Sequence, residues 1–397
     1  MASPSAIAIL DAIAASRTAF ENNEAGSREA LIDQSRALIS ALEIPSEFVQ
    51  RTFWAEPAQS AIIRMAVDIK LFQCLKEAGE AGLTPSALSE KVGVDNSLLQ
   101  RLVRHLVAMN VVSFKDGAFR ASELSNGLAA ENYQHSICIC YDAARPSFNG
   151  WPEYFKKTEY KSPTLGGNDG PFQAAHDTQL RFFEWIVANP PHLQHFDSFM
   201  TAYRAGKPNW HEFYPVAERL TSGFDASISD VLLVDVGGGK GHDVATFATQ
   251  HGPVAGRIVL QDREPVIAGV VASGEERAFE AQAHDFFTPQ PVKGARAYFL
   301  HSILHDWSDE DGIKILENLV PALKKGYSRV LFNEIVINEE KPTLAATNMD
   351  MMMLAHFAVM ERTEAHWREV LAKVGLKVVK IYNYPGVAES VIEAELA

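Results

Sequence analysis

Apolar and polar positions change rhythm several times along the chain, and each rhythm predicts a different element. Up to about residue 56 the apolar residues recur at helical spacing, with Leu31, Leu38, Ile39 and Leu42 on one face. Pro45 and Pro57 punctuate this segment, and the polar stretch 21–27 separates its first two helices. Residues 61–75 predict one apolar-rich helix. Thr84 before Pro85 supplies a capping hydroxyl and a first-turn proline, so a helix opens there and Gly93 closes it. The next helix opens at Asn96 or Ser97 and runs to Met109. Residues 111–114 and 118–121 then flank Lys115-Asp116-Gly117, and Asp-Gly is a strong hairpin signal. Helix, turn, helix and a two-stranded wing predict a winged-helix unit.

Residues 130–220 predict mainly helix, rich in rings: Phe182, Phe183 and Trp185 lie close together, and Pro190-Pro191 breaks the run. After residue 228 strands and helices alternate. Residues 231–236 predict a strand, apolar but for Asp235, as expected where helices cover both faces of a sheet. Further strands are predicted at 257–261, 296–300 and 329–336, each separated by enough chain for a helix. This pattern is that of a parallel, doubly wound α/β sheet. Residues 377–382 and 388–394, joined through Pro385-Gly386, predict an antiparallel hairpin at its edge.

Charge narrows the choice of partners. The formal net charge of −14 disfavours phosphate backbones and anionic lipid. A winged helix invites a DNA-binding reading, but residues 84–128 hold five basic side chains against four acidic ones, too few for that role. A packing or dimerisation module fits better. Three cysteines, Cys74, Cys138 and Cys140, build no disulfide framework and lack zinc-site spacing, so no metal is expected. The N-terminus lacks the basic region and unbroken apolar run of a signal peptide, since Asp11 interrupts Ile7 to Leu10. No apolar run approaches a membrane span, and a cytoplasmic location is expected.

The chemistry gathers at predicted strand ends. Gly237, Gly238 and Gly239 follow the first long strand, where glycine lets the backbone approach a ligand. A dinucleotide fingerprint would need Gly or Ala at the sixth position, yet counting from Gly237 gives His242 and from Gly239 gives Val244. Asp262 ends the next strand, where a carboxylate can accept both hydroxyls of an unphosphorylated ribose. Asp285 comes next, followed by Phe286 and Phe287, a carboxylate and rings suited to an adenine.

These positions, together with the run Leu300-His301-Ser302-Ile303-Leu304-His305-Asp306-Trp307-Ser308-Asp309, closely resemble the caffeic-acid and fungal secondary-metabolite class of S-adenosylmethionine-dependent O-methyltransferases. The resemblance covers nearly the whole chain. It implies a Rossmann-like domain over 129–397 that binds S-adenosylmethionine, preceded by a helical and winged-helix domain over 1–128 that serves homodimerisation. It further implies that Asp262 binds the ribose, that Asp285 contacts the adenine, and that His305 is the catalytic base bracketed by Glu334 and Glu361. Plant members carry a lysine near the cofactor where this chain has His301, which extends a cofactor-side role to His301.

The chemistry agrees. Methyl transfer from a sulfonium is an in-line displacement, and the acceptor must be oriented and lose a proton. A phenol ionises near 10, within reach of a neutral histidine of ordinary pKa near 6.5. A glutamate on the second ring nitrogen would fix the tautomer. Asp306 would orient the strand end. Five of the nine methionines lie between 349 and 360, and thioethers suit flat, polycyclic ligands. Met349, Met353 and His356 are therefore candidates to face a small aromatic acceptor, with Phe183 and Trp185 as further ring candidates. Methyltransferase-like proteins that catalyse pericyclic reactions, keeping S-adenosylmethionine as a bound cation, form the competing class. The presence of His305, Asp306, Glu334 and Glu361 argues against that class here, and a DNA-binding regulator is a third, weaker one.

Overall fold

The structure, a computed structural model, describes residues 5–203, 205–274 and 276–397. Contacts divide it into two compact units. The first comprises the residues up to Asn22, Ala30–Ser162 and Pro171–Gly206; the second comprises Asn23–Glu29, Pro163–Gly170 and Lys207–Ala397. Contact grouping therefore carries the helices after residue 128 with the first unit: the helices Glu131–Ile139 and His192–Ala202 pack on one another, and the former also meets Glu56–Asp68.

In the first unit, Leu99, Val103 and Leu106 line one face of the helix Asn96–Ala108 and are fully buried with Phe72, Leu75 and Leu88. Thr84 and Asp95 cap their helices through side-chain oxygens. Strands β1 (Val112–Lys115) and β2 (Ala118–Ala121) pair antiparallel around Asp116 and Gly117, both at positive φ (54° and 76°), the conformation an Asp-Gly turn adopts most readily. The single helix predicted over 61–75 is two. Lys70, at φ 53°, ends Glu56–Asp68 and starts Leu71–Ala78 in a new direction. The N-terminal face of Leu31, Leu38, Ile39 and Leu42 is helical but not buried, with Ile39 47% and Leu42 63% exposed.

The second unit is built on an eight-stranded sheet. Its strands are β3 (Val231–Val236), β4 (Arg257–Asp262), β5 (Glu280–Ala283), β6 (Ala297–His301), β7 (Arg329–Ile337), β8 (Arg362–Thr363), β9 (Leu376–Tyr382) and β10 (Glu389–Leu396). The order is β5-β4-β3-β6-β7-β10-β9, with β8 paired to β7. Strands β3 to β8 pair parallel, and β10 runs antiparallel to both β7 and β9. Alternation explains why β3 is apolar at every position but Asp235: Val234 and Val236 enter one core with Tyr298, Leu300, Phe332 and Trp367, whereas Leu233 enters the other with Phe247, Leu260 and Phe299. The strand order reverses between β3 and β6, opening a crevice at their carboxyl ends where sheets of this type bind ligands. Among the described residues, no helix is long and apolar enough to cross a membrane.

Candidate active site

The turn leaving β3 is shaped by glycine. Gly237, Gly239 and Gly241 all have positive φ, and the N–H groups of Gly237 and Gly238 donate to the Gln261 carbonyl at 2.8 and 3.1 Å. A Cβ at Gly238 would sit 2.2 Å from the Asp235 carboxylate, and one at Gly237 2.6 Å from Ile303. Space outside Gly239 is open. Beneath the turn, Asp235 is fully buried and neither carboxylate oxygen has a hydrogen-bond partner among the described residues. Burial, with Asp243 and Asp262 nearby, holds its carboxyl well above the usual range.

Asp262 ends β4 with one oxygen accepting from Gly239 N (2.8 Å) and the other from Arg263 N (2.7 Å), so the carboxylate is oriented by the glycine turn itself. Asp285 is exposed and accepts from Phe287 N at 3.0 Å. Phe286 packs against Phe287 and Trp307, and one of its ring carbons lies 3.5 Å from where a Gly237 Cβ would be. At the end of β6, His301 Nδ1 lies 2.6 Å from Asp243 Oδ2. Asp243 stands in the first turn of the helix that follows the glycines, and sequence reasoning passed over it because an acid there reads as a helix-dipole partner.

After β6, the 3-10 turn Leu304–Asp306 carries His305, which is 8% exposed. Its Nδ1 lies 2.9 Å from Glu361 Oε1, and its Nε2 lies 3.5 Å from Asp306 Oδ1. Glu334, on β7, is fully buried; its Oε1 accepts from Ile303 N (2.9 Å) and Leu304 N (2.8 Å). His305, Glu334 and Glu361 each bring one nitrogen or oxygen atom within a 4.8 Å group. The ring is thus bracketed by carboxylates, but on different terms: Glu361 meets the imidazole, whereas Glu334 binds the backbone that leads to it.

This setting alters the proton affinities. Burial works against a charged imidazole, yet Asp306, Glu361 and Glu334 outweigh it and push His305 up to about 10. Burial raises the Glu334 carboxyl to about 7 and the Asp306 carboxyl to about 6, although His305 opposes both shifts. The ordinary histidine value assumed from sequence is therefore corrected upward, because three acids from separate segments converge on one ring.

The methionine-rich helix Leu344–Phe357 packs against the Leu304–Asp306 turn. Met353 and His356 are buried on it and Met349 is half-buried, one face at i, i+4 and i+7. Asp350, from the same helix, accepts from Glu361 N at 2.8 Å and so ties this helix to the glutamate. Phe183 and Trp185 belong to the first unit. There Trp185 stacks on His192 and meets Phe172 and His176 edge-on or tilted. Phe183 packs on Phe182 and Phe196.

Residues 198–377 match the O-methyltransferase domain and residues 57–131 the O-methyltransferase dimerisation domain. The chain is 64% identical to the O-methyltransferase mpaG of Penicillium roqueforti (strain FM164) over 399 aligned positions, covering all of both chains. It is 61% identical to the protein of that name from Penicillium brevicompactum, again covering all of both. Among solved structures it resembles LepI in complex with SAM (TM-score 0.89, 28% identity), covering 98% of both chains. A structure described as a pericyclic reaction enzyme matches equally well (TM-score 0.89, 27% identity), with 98% of this chain and all of that one covered.

Proposed function

The chain belongs to the S-adenosylmethionine-dependent O-methyltransferases, and from that premise we propose that His305 is the general base that takes the proton from a phenolic hydroxyl of a small aromatic or polycyclic metabolite. The observation that carries this reading is the buried His305–Glu361 contact of 2.9 Å, at the strand-order reversal and on a turn that abuts the methionine-rich helix.

The cofactor's residues follow from the same crevice. Open space outside Gly239, an oriented Asp262 carboxylate and the buried Asp235, without a hydrogen-bond partner among the described residues, fit a nucleoside ligand. Asp262 would hold the ribose hydroxyls, Asp285 and Phe286 the adenine, and Gly237, Gly238, Gly239 and His301 the remainder of the molecule. When bound, S-adenosylmethionine supplies an electrophilic methyl group.

The other steps belong to the chain. Glu361 keeps the proton on Nδ1 and leaves Nε2 to receive the acceptor's proton. Asp306, 3.5 Å from Nε2, steadies the imidazolium that forms. An imidazolium near 10 is matched to a phenol, so proton transfer between them is close to thermoneutral. Met349, Met353 and His356 would provide an adaptable apolar wall for the ring system, and Phe183 and Trp185 remain acceptor-side candidates on sequence grounds. The acceptor is thus held and stripped of its proton. The O-methyltransferase dimerisation domain, with Phe53 and Trp54 each 66% exposed just before it, supports a homodimer formed through the N-terminal region.

Likeness to a pericyclic reaction enzyme favours one competing reading, in which S-adenosylmethionine stays intact. Incubation with methyl-labelled S-adenosylmethionine and a set of small aromatic and polycyclic phenols separates the two. We expect S-adenosylhomocysteine and a labelled ether in equal amounts. A rearranged acceptor with no S-adenosylhomocysteine would reject methyl transfer.

A further inference from the structure

Leu304–Asp306 is a single 3-10 turn between β6 and the helix Asp309–Leu319, too short to fix the direction of its own side chains. Two buried polar side chains hold its backbone, one as acceptor and one as donor. Glu334 accepts from the N–H groups of Ile303 and Leu304. Arg362, next in the chain to Glu361 and 3% exposed, donates from Nη1 to the Leu304 carbonyl (2.7 Å) and from Nη2 to the Trp307 carbonyl (2.9 Å). Its Nε donates to Asp309 Oδ1 at 2.9 Å, and its plane lies over Trp367 with the centroid 5.3 Å away. Asp309 is held in turn by His366 Nε2 at 2.6 Å. The two carbonyls gripped by Arg362 flank His305 and Asp306 on either side. A planar, always-charged fork can grip both while bonding Asp309; a lysine ammonium on a flexible stem cannot.

We propose that Arg362 is a positioning residue for the base: with Glu334 it suspends the 304–307 backbone so that the His305 ring meets Glu361. Short β8 delivers both parts of the device, since Glu361 immediately precedes it and Arg362 opens it. Among the described residues, the hydrogen-bond acceptors of this buried guanidinium all lie between residues 304 and 309, in the turn and the start of the helix after it. The inference rests on the reading of His305 as the base.

Arg362→Lys retains the charge and loses the fork, so its effect reports position and not electrostatics. The probe is the His305 ring in protein labelled with 13C at histidine Cε1, titrated by NMR, alongside calorimetry with S-adenosylhomocysteine. Expected is a fall of about one pH unit or more in the His305 inflection as the Glu361 contact loosens. Dissociation of S-adenosylhomocysteine should change by less than about threefold. An inflection within about 0.3 of wild type would overturn the proposal. If Arg362→Lys yields no folded protein, Asp309→Asn decides by the same titration: a downward shift with an altered Nδ1–H tautomer signature supports the proposal, and unchanged signals overturn it. Failure of the base reading shows elsewhere, as persistent turnover in His305→Ala whatever the titrations give.

Discussion

Glutamine at position 361 would keep the size of Glu361 and an oxygen for His305 Nδ1, while removing the charge. Wild-type His305 is held up to about 10 by Asp306, Glu361 and Glu334 acting together against burial. Glu361 is the one at 2.9 Å; Asp306 stands at 3.5 Å and would remain in Glu361→Gln, as would Glu334. An opposite charge this close shifts a titration by about 1–3 pH units, so the variant's inflection should fall to between about 7 and 9. The sign is set by which form loses its partner: removing a carboxylate destabilises the imidazolium, so the proton leaves at lower pH. Histidine-selective 13C labelling and NMR titration measure this directly, with the His305 signal assigned by its absence from His305→Gln. No acceptor is needed. In turnover, the neutral form must be present to accept a proton, so the wild-type rate should climb about tenfold per pH unit from neutrality toward about 10. That climb should end earlier in Glu361→Gln. A wild-type His305 titrating near 6.5, or an inflection unmoved by Glu361→Gln, would refute the argument.

Three further outcomes test other parts of the account. Glu334 is raised from 4.5 to about 7 in the folded state, so its contribution to stability is full below about pH 4.5 and is lost as pH rises through 7. The loss is on the order of 3 kcal/mol, so the decline of the melting temperature between pH 4.5 and 7.5 should be several degrees shallower in Glu334→Gln; parallel curves would count against it. Asp262→Ala should weaken S-adenosylhomocysteine binding about 10- to 100-fold by calorimetry, the worth of charge-assisted bonds to a ribose, and an unchanged affinity would remove Asp262 from the cofactor site. Trp54→Glu combined with Phe53→Glu should convert a dimer to a monomer in light scattering, because both rings are 66% exposed; a dimer that persists places the interface elsewhere.

Much of the second unit was legible in the sequence because its signals are local. Strands β3, β4, β6 and β7 were expected within about one residue of where they lie, since a run buried on both faces is mostly apolar, here interrupted at positions such as Asp235 and Glu334. The Asp116-Gly117 turn declared its hairpin through the positive φ that both residues adopt. Strand β5 went unseen because Glu280-Ala281-Gln282-Ala283 is a mostly exposed edge of only four residues, whose alternating apolar positions are alanines too small to mark a strand. Lys70 gave no warning of its break, since a left-handed lysine carries no propensity signal. Arg362 was illegible for another reason: its main acceptors are backbone carbonyls 55 and 58 residues away, and only folding names them. The high proton affinity of His305 was hidden likewise, because its acids come from the 3-10 turn, β7 and the residue before β8. The family motif placed the base, and three-dimensional convergence sets its chemistry.

The central claim is that His305 removes the acceptor's proton during methyl transfer. Its most direct test is S-adenosylhomocysteine formation by His305→Ala with a phenolic acceptor identified by labelled-methyl screening, run beside calorimetric S-adenosylmethionine binding. Loss of a general base predicts a rate lower by about 100- to 10,000-fold with cofactor affinity preserved. Turnover equal to wild type would contradict the account.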